Sequence, residues 1–422
     1  MMKTLRFLHL WVGLILGLPL LALGLSGTVL VLEPELRGLF TPSPAATADT
    51  GAAHSVAEVV AAAAAVAPPG AKPATYTAAT EPGGTATVRF QAPRRGPNGD
   101  GGGRPAGEAR GPSQNGPSQN GPAQGGPQRG PQGPGGGMPG ISVHIDPVTL
   151  AVVRTPGLDA TIGWFHRLHG NLLIQDRSGR DLVGYLGIVM SALGLTGLVL
   201  WWPRPGQWRQ AFIVRKAAKG ARFHRELHGA VGIWGLVVFL VVSVTGVAIA
   251  FPQTIAAGVG SLLPMAAQTQ GFAVPKVTPQ EGGEPAGVDE AVAIALAASP
   301  RPGLALRSAS LPQSPDQAIR VVLAPPGGAM TSTVTLMVDP WARQVVEVRD
   351  PSAQPAGNKV TGWMRPLHEG EGLGSLYRVL VALSGLLPLL FAITGTSMWW
   401  IKRRNRKAGA ARAAAILQSA AE

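Results

Sequence analysis

The sequence predicts an α+β membrane protein. The expected architecture is a duplicated four-transmembrane-helix bundle carrying two small α+β domains on one face. Three observations predict it. Apolar stretches run roughly over 8–32, 182–202, 229–251 and 376–401. Each has the ~20 residues needed to cross ~30 Å of hydrocarbon at ~1.5 Å per residue. Short motifs recur in matched order at the ends of these stretches. The two long segments between them also match each other. Composition agrees: 45% hydrophobic but 5% aromatic residues, with 57 Gly and 38 Pro, suits spans and linkers better than one core.

The first span, 1–32, reads as an uncleaved anchor. Its apolar run is long for a signal peptide, and no convincing small-x-small cleavage site precedes Glu33. Residues 33–181 form the first outer domain, followed by a second span at 182–202 and a basic loop at 203–228. A third span covers 229–251, the second outer domain 252–375, a fourth span 376–401, and a basic tail 402–422. Lys3 and Arg6 precede span one. Arg204, Arg209, Arg215, Lys216, Lys219, Arg222 and Arg225 lie between spans two and three. Lys402, Arg403, Arg404, Arg406 and Lys407 follow span four. All three groups fall on one side, so both termini are expected in the cytoplasm. The formal charge of +13 is concentrated there, which argues for positive-inside placement and not for nucleic acid. Trp201, Trp202, Trp399 and Trp400 sit at the same interface as an aromatic belt.

Each outer segment opens on an Ala/Val helix pattern, from Val56 and from Val288. Strand alternation follows at 85–90 and 318–323, and then a hairpin built on Asp146-Pro147 or Asp339-Pro340. Residues 93–140 are nearly all Gly, Pro, Gln, Asn, Ser and Arg, with Gly-Pro-Ser-Gln-Asn repeated directly at 111–120. That composition cannot bury a core and predicts a disordered insertion between strands.

Four histidines carry the chemistry. Arg6, His9 and Gly13 are matched by Arg225, His228 and Gly232. Both histidines are followed 18 positions later by a glycine, Gly27 or Gly246, with a hydroxyl residue beside it. Gly163, Trp164 and His169 are matched by Gly362, Trp363 and His368, and lead to Thr196-Gly197 and Thr394-Gly395. Imidazole at a membrane helix end is costly unless partnered. It is also the usual axial ligand of haem iron. The chain has no cysteine, which excludes disulfides, Cys-ligated iron–sulfur clusters and covalent c-type haem. The expected cofactors are therefore two b-type haems, one held by His9 and His228, the other by His169 and His368.

His166 and His224 lie three and four residues before His169 and His228 and are secondary ligand candidates. Arg6 and Arg225 are candidate propionate contacts, although the positive-inside pattern explains them equally well. Gly13 and Gly232, four residues inward, would let a porphyrin approach, while Gly13-x-x-x-Gly17 is also a helix-packing motif. His54 and His144 read as ordinary surface or strand residues.

The Asp-Pro hairpin is similar to the end of a PepSY domain. Two of these, threaded between four spans with Gly-Trp…Leu-His approaches, resemble the PepSY-associated transmembrane family. That family includes iron-regulated inner-membrane proteins and di-haem reductases that release iron from ferric siderophores in the periplasm. The resemblance implies a bacterial inner-membrane protein whose partners are the bilayer and a ferric siderophore or similar chelate. With short cytoplasmic segments and no nucleotide-binding glycine motif, the electron donor is expected to be a quinol or a separate protein. Two rivals make different predictions. A non-enzymatic accessory protein, binding a peptidase or an uptake partner through its outer modules, needs no haem. A metal permease should bind divalent metal, but the spans offer it no carboxylate.

Overall fold

The computed structural model describes residues 2–40, 52–79, 84–91, 141–153, 158–266, 274–326 and 332–419. The insertion expected at 93–140 lies outside the described residues. Three helices are long and apolar enough to cross a membrane, or four if a bent first pair counts as one span. That pair is α1 (Met2–Ile15) and α2 (Gly17–Val31), bent by 64°. The bend has a local cause. Pro19 has no N–H to give the Ile15 carbonyl, and its ring crowds the preceding turn.

After α3 (Glu33–Phe40) and α4 (Val56–Val66) come β1 (Lys72–Thr77), β2 (Ala86–Gln91), β3 (Ile141–Ile145) and β4 (Val152–Val153). Next are α5 (Leu158–Asn171), α6 (Arg177–Trp201), a short α7 (Trp208–Ala211), α8 (Gly220–Ala250) and α9 (Pro252–Gly260). The segment after α9 gives α10 (Val288–Ala297), β5 (Ala305–Ser310), β6 (Ile319–Ala324), β7 (Val334–Asp339) and β8 (Gln344–Arg349). The chain closes with α11 (Ala356–Glu369), α12 (Gly374–Ser384) and α13 (Leu387–Ser419).

The strands form one antiparallel sheet in the order β4-β3-β2-β1-β5-β6-β7-β8. Sequence alternation predicts two separate modules. In the structure β1 and β5 pair directly, through Thr75↔Ser310, Tyr76↔Ala309 and Thr77↔Ser308. An unpaired β1 would expose a row of backbone donors and acceptors, and this pairing satisfies them. Val59 of α4 is fully buried against Val88, Phe90 and Ile145 of the sheet, and Ala291 of α10 against Val321, Leu323 and Leu336. Burying each large side chain contributes roughly 1.5–3 kcal/mol. Ser55 and Glu58 form a capping box on α4, and Asp289 of α10 also accepts from Val56 N and Ala57 N. The Asp-Pro turns close as expected: Asp146 accepts from Val148 N and Asp339 from Trp341 N, both at 2.8 Å.

The edges of the sheet are tied to the membrane region. Edge strand β4 leads to α5, and edge strand β8 to α11. In the apolar layer, α8 packs on α6 and α13, α2 on α12 and α13, and α1 on α6. Helix α2 and the C-terminal cap of α12 approach closely at Gly24 and Gly385. A Cβ on Gly385 would run into the Gly24 carbonyl and the Thr28 hydroxyl. Helix α8 starts earlier than the apolar pattern suggests. Its first turns are polar, but Glu226 is paired there by Arg215 and by Arg222.

Candidate functional site

Four histidines converge as two pairs. His9 of α1 faces His228 of α8, with ring centroids 6.4 Å apart and planes at 70°. His169 of α5 faces His368 of α11 at 5.9 Å and 46°. Each pair joins one residue from each half of the chain. Among the described residues no three His, Cys, Asp or Glu side chains gather as a metal-binding group, so the histidines meet strictly in twos.

The hydrogen bonds behind the rings fix their tautomers. His9 Nδ1 lies 2.9 Å from Thr196 Oγ1, and His228 Nδ1 lies 2.8 Å from Thr394 Oγ1. Both hydroxyls already donate one turn back, to Ala192 O at 2.8 Å and Leu390 O at 2.7 Å. Their oxygens are left to accept, so each imidazole donates from Nδ1. In the other pair, His169 Nδ1 is 3.0 Å from Leu23 O and 3.2 Å from Ser26 Oγ. His368 Nδ1 is 2.9 Å from Val242 O and 3.3 Å from Thr245 Oγ1. A carbonyl can only accept, so these two Nδ1 atoms are also protonated. In the neutral imidazole a proton on Nδ1 leaves the lone pair on Nε2, which is the state in which an imidazole binds a metal.

The elements explain the positions. Sequence spacing places His169 and His368 at the outer ends of spans two and four. The structure puts them on separate amphipathic helices, α5 and α11, which pack against α2 and α8. Their imidazoles thereby reach carbonyls well inside those spans. Gly27 and Gly246 provide the room: a Cβ at either would lie 3.0 Å from the Cε1 of His169 or His368. Gly13 and Gly17 face open space, with nothing within 4 Å of an added Cβ, whereas Gly232 rests on the ring of Phe391 at 3.7 Å. Along α8, His228 and Val242 are 14 residues apart. At 1.5 Å per residue this separates the two pairs by about 21 Å.

The secondary candidates have contacts of their own. His166 Nε2 lies 3.9 Å from Glu33 Oε2, and its Nδ1 lies 3.2 Å from Ile162 O. His224 stacks edge-on against Phe223. Arg6 and Arg225 are exposed, on the same helices as His9 and His228. His144, read from sequence as an ordinary strand residue, joins a network. Its Nδ1 meets Thr87 Oγ1 at 3.0 Å and its Nε2 meets Asp159 Oδ2 at 3.2 Å. Arg37 donates to Asp159 and to Glu33, both at 2.7 Å. His144 and Arg37 hold the Asp159 carboxyl well below the usual carboxylate range, against the opposing effect of burial. The network ties the sheet to α5 and α3.

In the sequence Thr196, Thr394 and the hydroxyl residues beside Gly27 and Gly246 stand out as repeated landmarks, and repetition alone does not mark them as partners of the histidines. The carbonyls of Leu23 and Val242 leave no trace in side-chain identity.

Mixed helix and sheet, with three helices long and apolar enough to cross a membrane or four if the bent first pair is one span, defines a multi-pass integral membrane protein. The chain belongs to the PepSY-associated TM region family, whose sequence model matches residues 6–402. A comparison with the curated proteins gives no match.

Proposed function

We propose that the protein is a di-haem reductase of the bacterial inner membrane that delivers electrons to ferric siderophores on the periplasmic face. The observation that carries this reading is the meeting of four histidines as two pairs with every Nδ1–H anchored. Two imidazoles on opposite sides of one metal, at metal–nitrogen distances of about 2 Å, have ring centroids about 6 Å apart. The observed 6.4 Å and 5.9 Å suit that arrangement. The open space at Gly13 suits a planar group beside His9. Haem iron bound by the pairs would supply one-electron transfer between the two faces. Thr196 and Thr394 orient the inner ligands, while Leu23 and Val242 orient the outer ones.

In this reading the chain is a duplicated unit of two spans and one outer module, with both termini in the cytoplasm. His9 and His228 lie toward the basic side, His169 and His368 toward the sheet. A quinol gives up two electrons and two protons, and each ferric ion takes one electron, so one quinol matches two ferric ions. A separate redox protein is the other donor class. Fe(II) is a softer acid than Fe(III) and is released from hard oxygen ligands.

Absorbance of the purified protein tests the proposal. A pyridine haemochrome stoichiometry near two per chain is expected. Ferric siderophore added to dithionite-reduced protein, freed of excess reductant, should restore the oxidised Soret spectrum and yield ferrozine-reactive Fe(II). Haem-free protein would refute the reading and favour a non-enzymatic accessory role. Haem that no ferric chelate reoxidises would leave the cofactor and overturn the substrate.

A further inference from the structure

The two histidine pairs differ in what stands behind them, and the difference follows chemical type. At the inner pair each Nδ1 meets one side-chain hydroxyl and no carbonyl: Thr196 Oγ1 at 2.9 Å for His9, Thr394 Oγ1 at 2.8 Å for His228. At the outer pair each Nδ1 meets a main-chain carbonyl first, Leu23 O at 3.0 Å or Val242 O at 2.9 Å. The hydroxyls of Ser26 and Thr245 stand further off, at 3.2 Å and 3.3 Å. An acceptor on Nδ1–H raises the basicity of the imidazole and fixes its orientation. Ligand basicity in turn sets how strongly the ferric state is favoured.

We infer that Thr196 and Thr394 are positioning residues that set the reduction potential of the inner site, whereas the outer site is set by backbone and is indifferent to Ser26 and Thr245. This rests on the di-haem reading. Each threonine is itself polarised: its hydroxyl proton is held by the carbonyl of Ala192 or Leu390, which strengthens the oxygen as an acceptor. Thr394 is 2% exposed, so water cannot replace it. The inner potential is thus written in two side chains that substitution can remove, and the outer potential in main-chain carbonyls that stay whatever side chain stands at positions 23 and 242. The outer carbonyls are available because α5 and α11 bring their histidines against the glycine faces of α2 and α8 at Gly27 and Gly246.

The test is a potentiometric titration of the full-length haem-loaded protein with low-temperature EPR of the low-spin ferric signals. Thr196→Val and Thr394→Val keep shape and remove the acceptor. Each should raise the inner midpoint, enriching the reduced form roughly tenfold at a fixed poise, about 59 mV for a one-electron couple. The inner g-values should shift and the outer couple should stay in place. Thr196→Ser restores a hydroxyl and should return the potential toward the starting value. Ser26→Ala and Thr245→Val should move neither couple. Loss of the inner haem alone in the valine variants also supports the assignment, since a misoriented ligand binds more weakly. If a valine variant does not accumulate, Thr196→Ala and Thr394→Ala give the same reading. Unchanged inner potentials in all of these would overturn it, as would an outer couple that moves equally with Ser26→Ala or Thr245→Val. Absence of haem from the unsubstituted protein would instead refute the di-haem reading itself.

Discussion

His169 rests on Gly27: a Cβ added to that glycine would lie 3.0 Å from Cε1 and 3.3 Å from Nδ1 of the imidazole. Gly246 stands in the same relation to His368, at 3.0 Å and 3.5 Å. Glycine is needed here for closeness and not for backbone freedom, since both positions are helical. Gly27→Ala and Gly246→Ala should push the ring off the carbonyl of Leu23 or Val242. On the di-haem reading, affinity for the haem at this pair should fall about tenfold, as expected for losing an orienting partner. Gly197→Ala is the control, because its Cβ would meet His9 Cε1 at 3.6 Å, an ordinary contact. Haemochrome stoichiometry and EPR report the result; two undisturbed haems in Gly27→Ala would contradict the argument.

On the di-haem reading, substitutions of the four histidines should act in pairs. His9→Ala or His228→Ala should remove the inner low-spin signal and spare the outer one, while His169→Ala or His368→Ala should do the reverse. His166→Ala should leave both haems in place, because that ring is directed to Glu33 and to its own helix. Loss of the outer haem in His166→Ala, with retention in His169→Ala, would reverse the assignment of these two residues.

The sequence makes the spans legible because hydrocarbon thickness imposes a length that composition cannot disguise. The candidate histidines are legible because the motifs around them recur. Their hydroxyl partners are half legible: Thr196 and Thr394 stand out as repeated residues, but repetition does not say what they touch. Three features leave no readable signal. The union of β1 with β5 depends on backbone pairing between strands more than 200 residues apart. Helices α5 and α11 appear in the sequence as approaches to spans, since an amphipathic helix lying beside another helix has no length signature of its own. The carbonyls of Leu23 and Val242 are set by helix phase and not by residue type.

Asp159 should make the junction between sheet and α5 acid-sensitive in one direction only. His144 and Arg37 depress its folded pKa below the ordinary value. The stabilisation is therefore complete above the unfolded pKa of about 3.9 and is lost as pH falls toward the folded value. Asp159→Asn lacks it at every pH. Melting temperatures in detergent should show the unsubstituted protein ahead of Asp159→Asn at pH 7 and at pH 5, with the gap closing below about pH 4. A gap that widens on acidification would mean that the carboxylate is not the stabilising partner.

Removing residues 96–138 should leave the fold intact and, on the di-haem reading, the haem content unchanged. Phe90 of β2 and Ile141 of β3 are direct cross-strand partners, so the strands are already in register where the segment departs. Residues 92–95 and 139–140 remain to close the hairpin, a length common for such connections. Closing the shorter loop costs less entropy, by about 2 kcal/mol on a (3/2)RT ln n scale, so the melting temperature should hold or rise. Binding of a chelate or partner can change without any change in the haem spectrum. The measurements are thermal unfolding and haemochrome stoichiometry of the shortened protein beside the full chain. A lower melting temperature or a missing haem would show that the segment contributes to the sheet or to the site, against the reading of its composition.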